Sequence, residues 1–165
     1  MQSCSFDVTG LPMPKGSTTR MPNGATLPAG TPESRRRMAQ WRDDIRHEAK
    51  DAMDGRAPFA GPIRLMCEFR LPVPTSTIRK YQHGWLCHTK KPDVDKLFRM
   101  LSDALTRIVW NDDSQVCFSI INKVYAWDGA TGAMVVVEEI TDDDARAFAE
   151  SSRMVRKAIE VVGGC

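Results

Sequence analysis

The sequence predicts a single α/β domain of the α+β two-layer type, in which a mixed β-sheet of about four strands packs against about three helices. Three observations predict this fold. The chain has 165 residues, 42% of them hydrophobic, which is enough for one sizeable core. Alternating segments and segments with helical spacing follow one another in the order strand, helix, strand, helix, strand, strand, helix. No internal repeat divides residues 1–165, so we expect one domain.

The first half of the chain is predicted to contain two strands, a long loop and a helix. Residues 6–8 have apolar side chains at alternate positions, which predicts a short strand. Residues 10–32 are rich in Pro, Gly, Thr and Ser, which predicts a long loop. Thr31 precedes a proline and a glutamate, as at a helix N-terminus, and an apolar stripe predicts a helix as far as Met53. Residues 63–71 alternate strictly and predict the clearest strand.

The second half begins with another long loop, at residues 72–91. Residues 94–109 have apolar side chains at helical spacing, which predicts a helix with one buried stripe. Residues 116–126 and 133–140 predict two strands joined by a glycine-containing turn. Residues 142–161 predict a final helix, which opens with three aspartates that complement its dipole.

The formal net charge of +2 conceals an uneven distribution along the chain. Residues 1–92 contain 15 Lys and Arg against 8 Asp and Glu, whereas the remaining residues contain 8 against 13. A basic half joined to an acidic half suits a protein that holds a polyanionic backbone around a metal site. Taken with the aspartates of the second half, this asymmetry favours DNA as a partner.

Several function classes are disfavoured by the sequence. The five cysteines and three histidines do not form the paired spacings of a zinc site. There is no glycine-rich phosphate loop, so no nucleotide cofactor is expected, and no Ser-His-Asp arrangement is legible. The odd number of cysteines, with no signal peptide and no long apolar run, predicts a reduced cytoplasmic setting without a membrane partner.

Four carboxylates flank the predicted helix. Asp93 and Asp95 lie where it begins. Asp112 and Asp113 lie just past its end. Oxygen ligands that converge from separate elements, beside basic residues, are what a Mg²⁺-dependent nuclease needs. Taken alone, each pair is better explained by a structural role: a helix cap for the first pair and an ordinary turn for the second. Both pairs together, after a basic loop, favour a metal-dependent nuclease.

Basic residues in the two long loops and at the end of a predicted strand are candidates for DNA contacts. In the second loop they alternate with tyrosine and tryptophan, which would offer phosphate contacts and stacking surfaces. Each candidate has a structural alternative: a flexible surface loop for the first loop, packing on the body of the protein for Trp85, and a solvated surface position for Lys123. The candidates are Lys15, Arg20, Arg79, Lys80, Trp85, Lys90, Lys91 and Lys123.

Three segments at matching spacing carry a resemblance to a known family. They are Lys91-Pro92-Asp93-Val94-Asp95, Asp103-Ala104-Leu105 and Trp110-Asn111-Asp112-Asp113-Ser114-Gln115. They look like the signature of the RusA-like Holliday junction resolvases of phage and prophage type. The resemblance is close over residues 88–125 and extends loosely to the first predicted strand.

The resemblance implies a homodimeric, structure-selective endonuclease that cuts four-way DNA junctions by paired symmetric nicks in a bacterial cell. It implies Mg²⁺ as the cofactor, with Mn²⁺ as a substitute. It places the catalytic, metal-binding aspartates at Asp93, Asp95 and Asp113. Asp112 is the alternative to its neighbour as a metal ligand.

Two residues depart from the family pattern. Lys96 stands where the family has asparagine, and Arg99 stands where the family has its catalytic lysine. Arginine can neutralise phosphate charge but does not give up a proton at neutral pH. Arg99 is therefore the catalytic candidate if only charge is needed, and Lys96 is the candidate if a proton must move. An ion pair with Asp95 is the structural alternative for Arg99, and Asp103 is expected to pair with Arg107.

Two other functions remain open on the sequence. A DNA-binding protein of the same fold would bind branched DNA with weak or no cleavage, and Lys96 and Arg99 would then tighten backbone binding. The presence of all three aspartates argues against that alternative. A nuclease that acts on flaps or replication forks would have little preference for four-way junctions.

Overall fold

The computed structural model describes residues 2–16, 18–20, 26–28, 30–74, 87–141, 143–147 and 150. Its strands are β1 (Ser3–Thr9), β2 (Thr18–Arg20), β3 (Thr26–Pro28), β4 (Ile63–Pro72), β5 (Val116–Ala126) and β6 (Gly132–Glu139). Its helices are α1 (Pro32–Met53) and α2 (Val94–Leu105), with a short 3₁₀ helix at Asp113–Gln115. Residues 143–147 are also helical.

Four strands form one mixed sheet in the order β1-β6-β4-β5, which confirms the predicted α+β fold. β6 is antiparallel to both of its neighbours, whereas β4 and β5 are parallel. A parallel pair needs a crossover connection, and α2 lies in that connection.

The two long helices and the sheet share one hydrophobic core. Every second residue of β4 from its first to its ninth position is buried. Trp41 and Ile45 of α1 belong to the same buried cluster, as do Leu97 and Leu101 of α2. Burial of these stripes removes apolar surface from water, which is the main force that holds the two layers together.

Helix α2 ends at Leu105 rather than at the predicted Val109. Thr106 leaves the helix with a ψ of 132°, and Arg107 has a left-handed φ of +67°. Val109 and Trp110 are fully buried, and their apolar side chains continue the helical spacing. They reach the core from a turn, however, so the spacing predicted a helix that is one turn too long.

The predicted loop at residues 10–32 contains a short hairpin formed by β2 and β3. Each of these strands has three residues, which is too short for an alternating pattern to show in the sequence. The hairpin forms a separate two-stranded sheet.

Some predictions fall outside the described residues. Arg79, Lys80 and Trp85 lie there, as do the side chain of Arg20 and most of the predicted final helix. Among the helices of the described ranges, none is both long and apolar enough to cross a membrane.

Candidate active site

A cleft of about 430 Å³ lies between α2 and the first half of β5. Two of the three predicted catalytic aspartates, Asp95 and Asp113, line this cleft. Arg99, which stands at the position of the family lysine, lines it as well. The complete lining is Asp95, Phe98, Arg99, Ser102, Asp103, Asp113, Val116, Cys117, Phe118 and Ser119.

Asp95 lies in the first turn of α2 with an exposed side chain. The unpaired N–H groups of a helix N-terminus favour a negative charge at this position. Within the described residues, no hydrogen bond or ion pair engages the Asp95 carboxylate, and the ion pair with Arg99 that the spacing allowed is not formed. Both carboxylate oxygens are therefore open to water or to a cation.

Asp113 is held in place by side chains from the turn that follows α2. The Trp110 indole N–H donates to Asp113 Oδ1 at 3.0 Å, and the Thr106 hydroxyl donates to the same oxygen. Burial acts to raise the pKa of Asp113, but hydrogen bonds from Thr106, Trp110 and Ser102 outweigh it and hold that pKa below its usual range. The Asp113 carboxylate is therefore ionised and oriented at neutral pH.

Asp112, the neighbour of that carboxylate, caps the 3₁₀ helix instead. Its side chain accepts a hydrogen bond from the Ser114 backbone N–H at 2.9 Å, and Gln115 completes a capping box. Hydrogen bonds from the Ser114 hydroxyl and backbone hold the pKa of Asp112 below its usual range. The structure thus places Asp113 in the cleft and Asp112 outside its lining.

Gln115 ties this segment to the residues that precede β4. Its amide oxygen accepts from the backbone N–H groups of Asn111 at 2.8 Å and Asp112 at 2.9 Å. Its amide nitrogen donates to the carbonyls of Phe59 at 3.0 Å and Gly61 at 2.9 Å. With both ends of one side chain engaged, the segment that carries Asp113 is fixed against the body of the domain.

A second pocket, of about 560 Å³, adjoins the first turn of α2 and shares no lining residue with the cleft. We call it the proline pocket because four of its lining residues are prolines. Its lining is Leu11, Pro12, Met13, Pro14, Leu71, Pro72, His88, Lys91, Pro92, Asp93 and Lys96.

Asp93, the third predicted catalytic aspartate, lines the proline pocket and not the cleft. It is the N-cap residue of α2, but its side chain makes no capping hydrogen bond. Its carboxylate instead accepts a hydrogen bond from Lys96 at 2.7 Å. This hydrogen bond and the attraction of opposite charges lower the pKa of Asp93 and raise the pKa of Lys96.

The two candidate catalytic cations are separated in the same way. Arg99 is exposed and lines the cleft, whereas Lys96 is engaged with Asp93 at the proline pocket. The planar guanidinium of Arg99 has five N–H donors that suit the oxygens of a phosphate group.

Asp103 is paired with Lys15 and not with Arg107, which the sequence spacing had suggested. The Lys15–Asp103 ion pair joins the segment after β1 to α2. The Lys15 backbone N–H also donates to the Lys96 carbonyl at 2.9 Å. Arg107 lies beyond the end of α2 with left-handed backbone geometry, so the helical i,i+4 relation does not apply to it. Lys15 thus has its ammonium beside a carboxylate that lines the cleft.

Lys123, another predicted DNA contact, is bound to the segment that leads into α2. Its ammonium donates to the carbonyls of Lys90 and Pro92, both at 2.7 Å. An ammonium has three protons, so one remains for an acceptor such as a DNA phosphate. The backbone carbonyl of Lys123 also accepts the His88 N–H at 2.8 Å. These contacts hold the residues just before Asp93 against β5.

Lys90 and Lys91 have exposed side chains, and in the described part of the chain neither forms an ion pair with a carboxylate. Lys91 lies at the proline pocket. Their charges are available to a phosphate. Their DNA contacts remain predictions.

The aspartates fit a divalent cation by their chemistry but not as a complete cage. Among the described residues, no three Asp, Glu, His or Cys side chains are close enough together to hold a metal ion. Mg²⁺ commonly binds through one or two carboxylates, with water and substrate phosphates as its other ligands. Open oxygens on Asp95 and an ionised Asp113 match that mode of binding.

Sequence reasoning missed the side chains that support these carboxylates. Trp110 and Gln115 were part of the segment that carries the family resemblance, but no supporting role was assigned to them, and Thr106 was not singled out. The Lys15–Asp103 pair was missed because its partners are far apart in sequence. A tryptophan three residues before an aspartate, in a segment that leaves a helix, was the available signal.

Comparison with known proteins identifies the family of the chain. The family model described as endodeoxyribonuclease RusA matches residues 12–138. The chain is also 31% identical over 83 residues to "Uncharacterized protein YqaN" of Bacillus subtilis (strain 168), which covers 47% of this chain and 58% of that protein. The match thus spans little more than half of the length of that relative. With a family match over most of its length, the chain belongs to the RusA endodeoxyribonuclease family.

Proposed function

We propose that this chain is a Mg²⁺-dependent endodeoxyribonuclease that resolves four-way DNA junctions by paired symmetric nicks, as a homodimer in the bacterial cytoplasm. The observation that carries the proposal is the placement of Asp95 and Asp113 in one cleft beside Arg99. Membership of the RusA family supports the reaction class.

The residues of the cleft suit phosphodiester hydrolysis. Such a reaction needs an activated water and neutralisation of the charge that builds on the phosphate, and a bound Mg²⁺ supplies both. Asp95 and Asp113 would hold the cation, and Mn²⁺ would substitute for it. Asp93 would join them from the adjoining turn once DNA phosphate competes for Lys96.

Arg99 would stabilise the developing negative charge. A guanidinium can donate to two phosphate oxygens at once, and such charge-assisted bonds are stronger than neutral ones. Because Arg99 keeps its proton at neutral pH, the leaving oxygen would take its proton from water. The lysine-dependent alternative would use Lys96, which is engaged with Asp93 in the free protein.

A homodimer suits the symmetry of the substrate. A four-way junction has approximate two-fold symmetry, so a two-fold dimer would present one cleft to each of two opposing strands. One nick in each of those strands would leave two duplexes that a ligase can seal.

The experiment that tests this function is cleavage of a labelled four-way junction, compared with a linear duplex, a flap and a replication fork of the same sequences. Each substrate is incubated with Mg²⁺ or with EDTA. The proteins are the wild type, Asp95→Asn, and Asp128→Asn as a matched control in the turn after β5, where the carboxylate accepts from the Ala130 N–H at 3.0 Å.

We expect metal-dependent paired nicks in the junction, loss of cleavage in Asp95→Asn, and normal cleavage in Asp128→Asn. Tight junction binding without cutting in Mg²⁺ or Mn²⁺ would instead identify a DNA-binding protein. Equal cutting of forks or flaps would remove the four-way preference from the proposal.

A further inference from the structure

The proline pocket has the chemistry of a binding site, and apart from Asp93 and Lys96 its lining residues have no part in the proposed nuclease reaction. Its volume of about 560 Å³ lies within the range of small-molecule sites. The lining includes Pro12, Pro72, Leu11 and Leu71, so hydrocarbon forms most of its walls. Proline rings have no N–H group and present apolar surfaces, which suits an uncharged ring as ligand.

One buried polar atom is unsatisfied at this pocket. His88 is only 8% exposed, and its Nδ1 has no hydrogen-bond partner within the described residues. The ring packs against Tyr125, at 4.6 Å between centroids, and lies near the Lys123 ammonium and the backbone of Lys90. A buried ring nitrogen without a partner costs free energy, so a ligand with one polar edge would gain by pairing with it.

Positive charge lies at the same pocket. The exposed Lys91 ammonium forms no ion pair in the described ranges, although its charge helps to lower the pKa of Asp93, and Lys96 is paired with Asp93. A ligand that suits these groups has a planar uncharged ring with a polar edge, attached to an anionic group. A nucleotide within a DNA strand has this combination.

The position of the pocket points to the same ligand. Asp93 lines the proline pocket and Asp95 lines the cleft, and only one residue separates them at the start of α2. A DNA strand whose phosphate lies in the cleft would therefore bring a neighbouring nucleotide to the pocket. Bases at the crossover of a junction are less firmly stacked than those of a continuous duplex, which lowers the cost of unstacking one of them.

We propose that the proline pocket binds one unstacked nucleobase of the cleaved strand, with its edge against His88 and its phosphate beside Lys91. This inference rests on the proposed function, because it takes the cleft as the place of the cut phosphate. The pocket would make cleavage depend on the identity of one base at a fixed distance from the cut.

The test uses full-length protein and four-way junctions that carry one fluorescent base, either 2-aminopurine or pyrrolo-cytosine, at successive positions around the crossover. Both bases become brighter when they unstack. Binding is measured in EDTA, and cleavage of the same junctions is measured separately with Mg²⁺. Met13→Trp fills the pocket, and Met134→Trp introduces the same side chain at a 46% exposed position of β6 outside both pockets.

We expect brighter emission at one position with wild type and with Met134→Trp, but not with Met13→Trp. Since stacking contacts are commonly worth about a tenfold change in affinity, Met13→Trp should also weaken junction binding roughly tenfold. His88→Phe retains a planar ring without the nitrogen. It should keep the emission change and flatten the preference among the four natural bases at that position.

An unchanged emission at every position, with cleavage intact, would overturn the base-binding proposal and leave the nuclease function standing. Equal brightening with folded Met13→Trp would also overturn it, since the base would then lie elsewhere. Absence of cleavage with Mg²⁺ would instead count against the nuclease function itself. Thermal melting of both tryptophan variants shows whether each is folded.

Discussion

At the scale of single residues, two adjacent aspartates have different surroundings and should fail in different ways. Asp113 lines the cleft, whereas Asp112 caps the 3₁₀ helix. We expect Asp113→Asn to abolish junction cleavage and also to lower the melting temperature somewhat, because the ionised carboxylate accepts stabilising hydrogen bonds. Asp112→Ala should lower the melting temperature and retain most of the cleavage, because it removes a cap and not a ligand. The test measures junction cleavage and thermal melting of both variants. An inactive Asp112→Ala variant would contradict this assignment.

The cap at Asp112 also predicts a pH dependence of stability. The pKa of Asp112 is below its usual range in the folded protein, so its ionised form stabilises the fold. That contribution is complete above the unfolded-state pKa and is lost as pH falls through the lower folded-state pKa. Asp112→Asn should therefore be less sensitive to acid over this interval than wild type. Urea unfolding at a series of acidic pH values measures the difference, and parallel curves would refute it.

Trp110 is expected to act on catalysis through Asp113. Trp110→Phe retains an aromatic ring in the core but removes the N–H that donates to Asp113 Oδ1. The loss of a group that orients a metal ligand commonly lowers activity or metal affinity by roughly 10–100-fold. We expect cleavage to fall by about that factor and the pKa of Asp113 to rise. Carboxyl titration by NMR in the absence of metal tests the pKa, and an unchanged value would show that the indole N–H has no such effect.

At the scale of elements, Lys123 holds the segment that leads into α2. A substitution of Lys123 can therefore show whether this side chain positions that segment or contacts DNA. Lys123→Met removes hydrogen bonds to the Lys90 and Pro92 carbonyls. We expect slower cleavage with an unchanged salt dependence of junction binding. Lys90→Met, at an exposed position, should instead lower the slope of log affinity against log salt by about one. A reduced slope with Lys123→Met would show that its ammonium contacts phosphate, as the sequence suggested.

A helix or strand was predicted well where the residues that determine it are neighbours in sequence. The alternation in β4 and the stripe of α1 are local patterns, so both elements were confirmed within a residue or two. The predicted end of α2 was wrong. The left-handed backbone of Arg107 and the hydrogen bond from the Thr106 hydroxyl to the Ser102 carbonyl redirect the chain, but the apolar spacing continues past them. The separation of the aspartates into a cleft and a pocket depends on tertiary contacts, and no spacing rule contains that information.

At the scale of the whole molecule, the proposed dimer predicts how an active and an inactive subunit behave together. Each subunit would supply one cleft, so a mixed dimer of wild type and Asp95→Asn should nick one strand of a junction and leave the opposing strand intact. On a supercoiled plasmid that extrudes a cruciform, wild type should give linear DNA. Mixed dimers, formed by co-expression with two affinity tags, should give nicked circles.

This outcome separates the dimer from the chemistry. A wild-type preparation diluted with a matched amount of Asp128→Asn should still give linear DNA, because that substitution lies outside the cleft. Linear product from purified mixed dimers would mean that one subunit cuts both strands in turn, and the paired-site arrangement would then be wrong. Nicked circles from mixed dimers would instead show that resolution needs both clefts. A single nick leaves the junction joined, whereas a symmetric pair of nicks releases two duplexes.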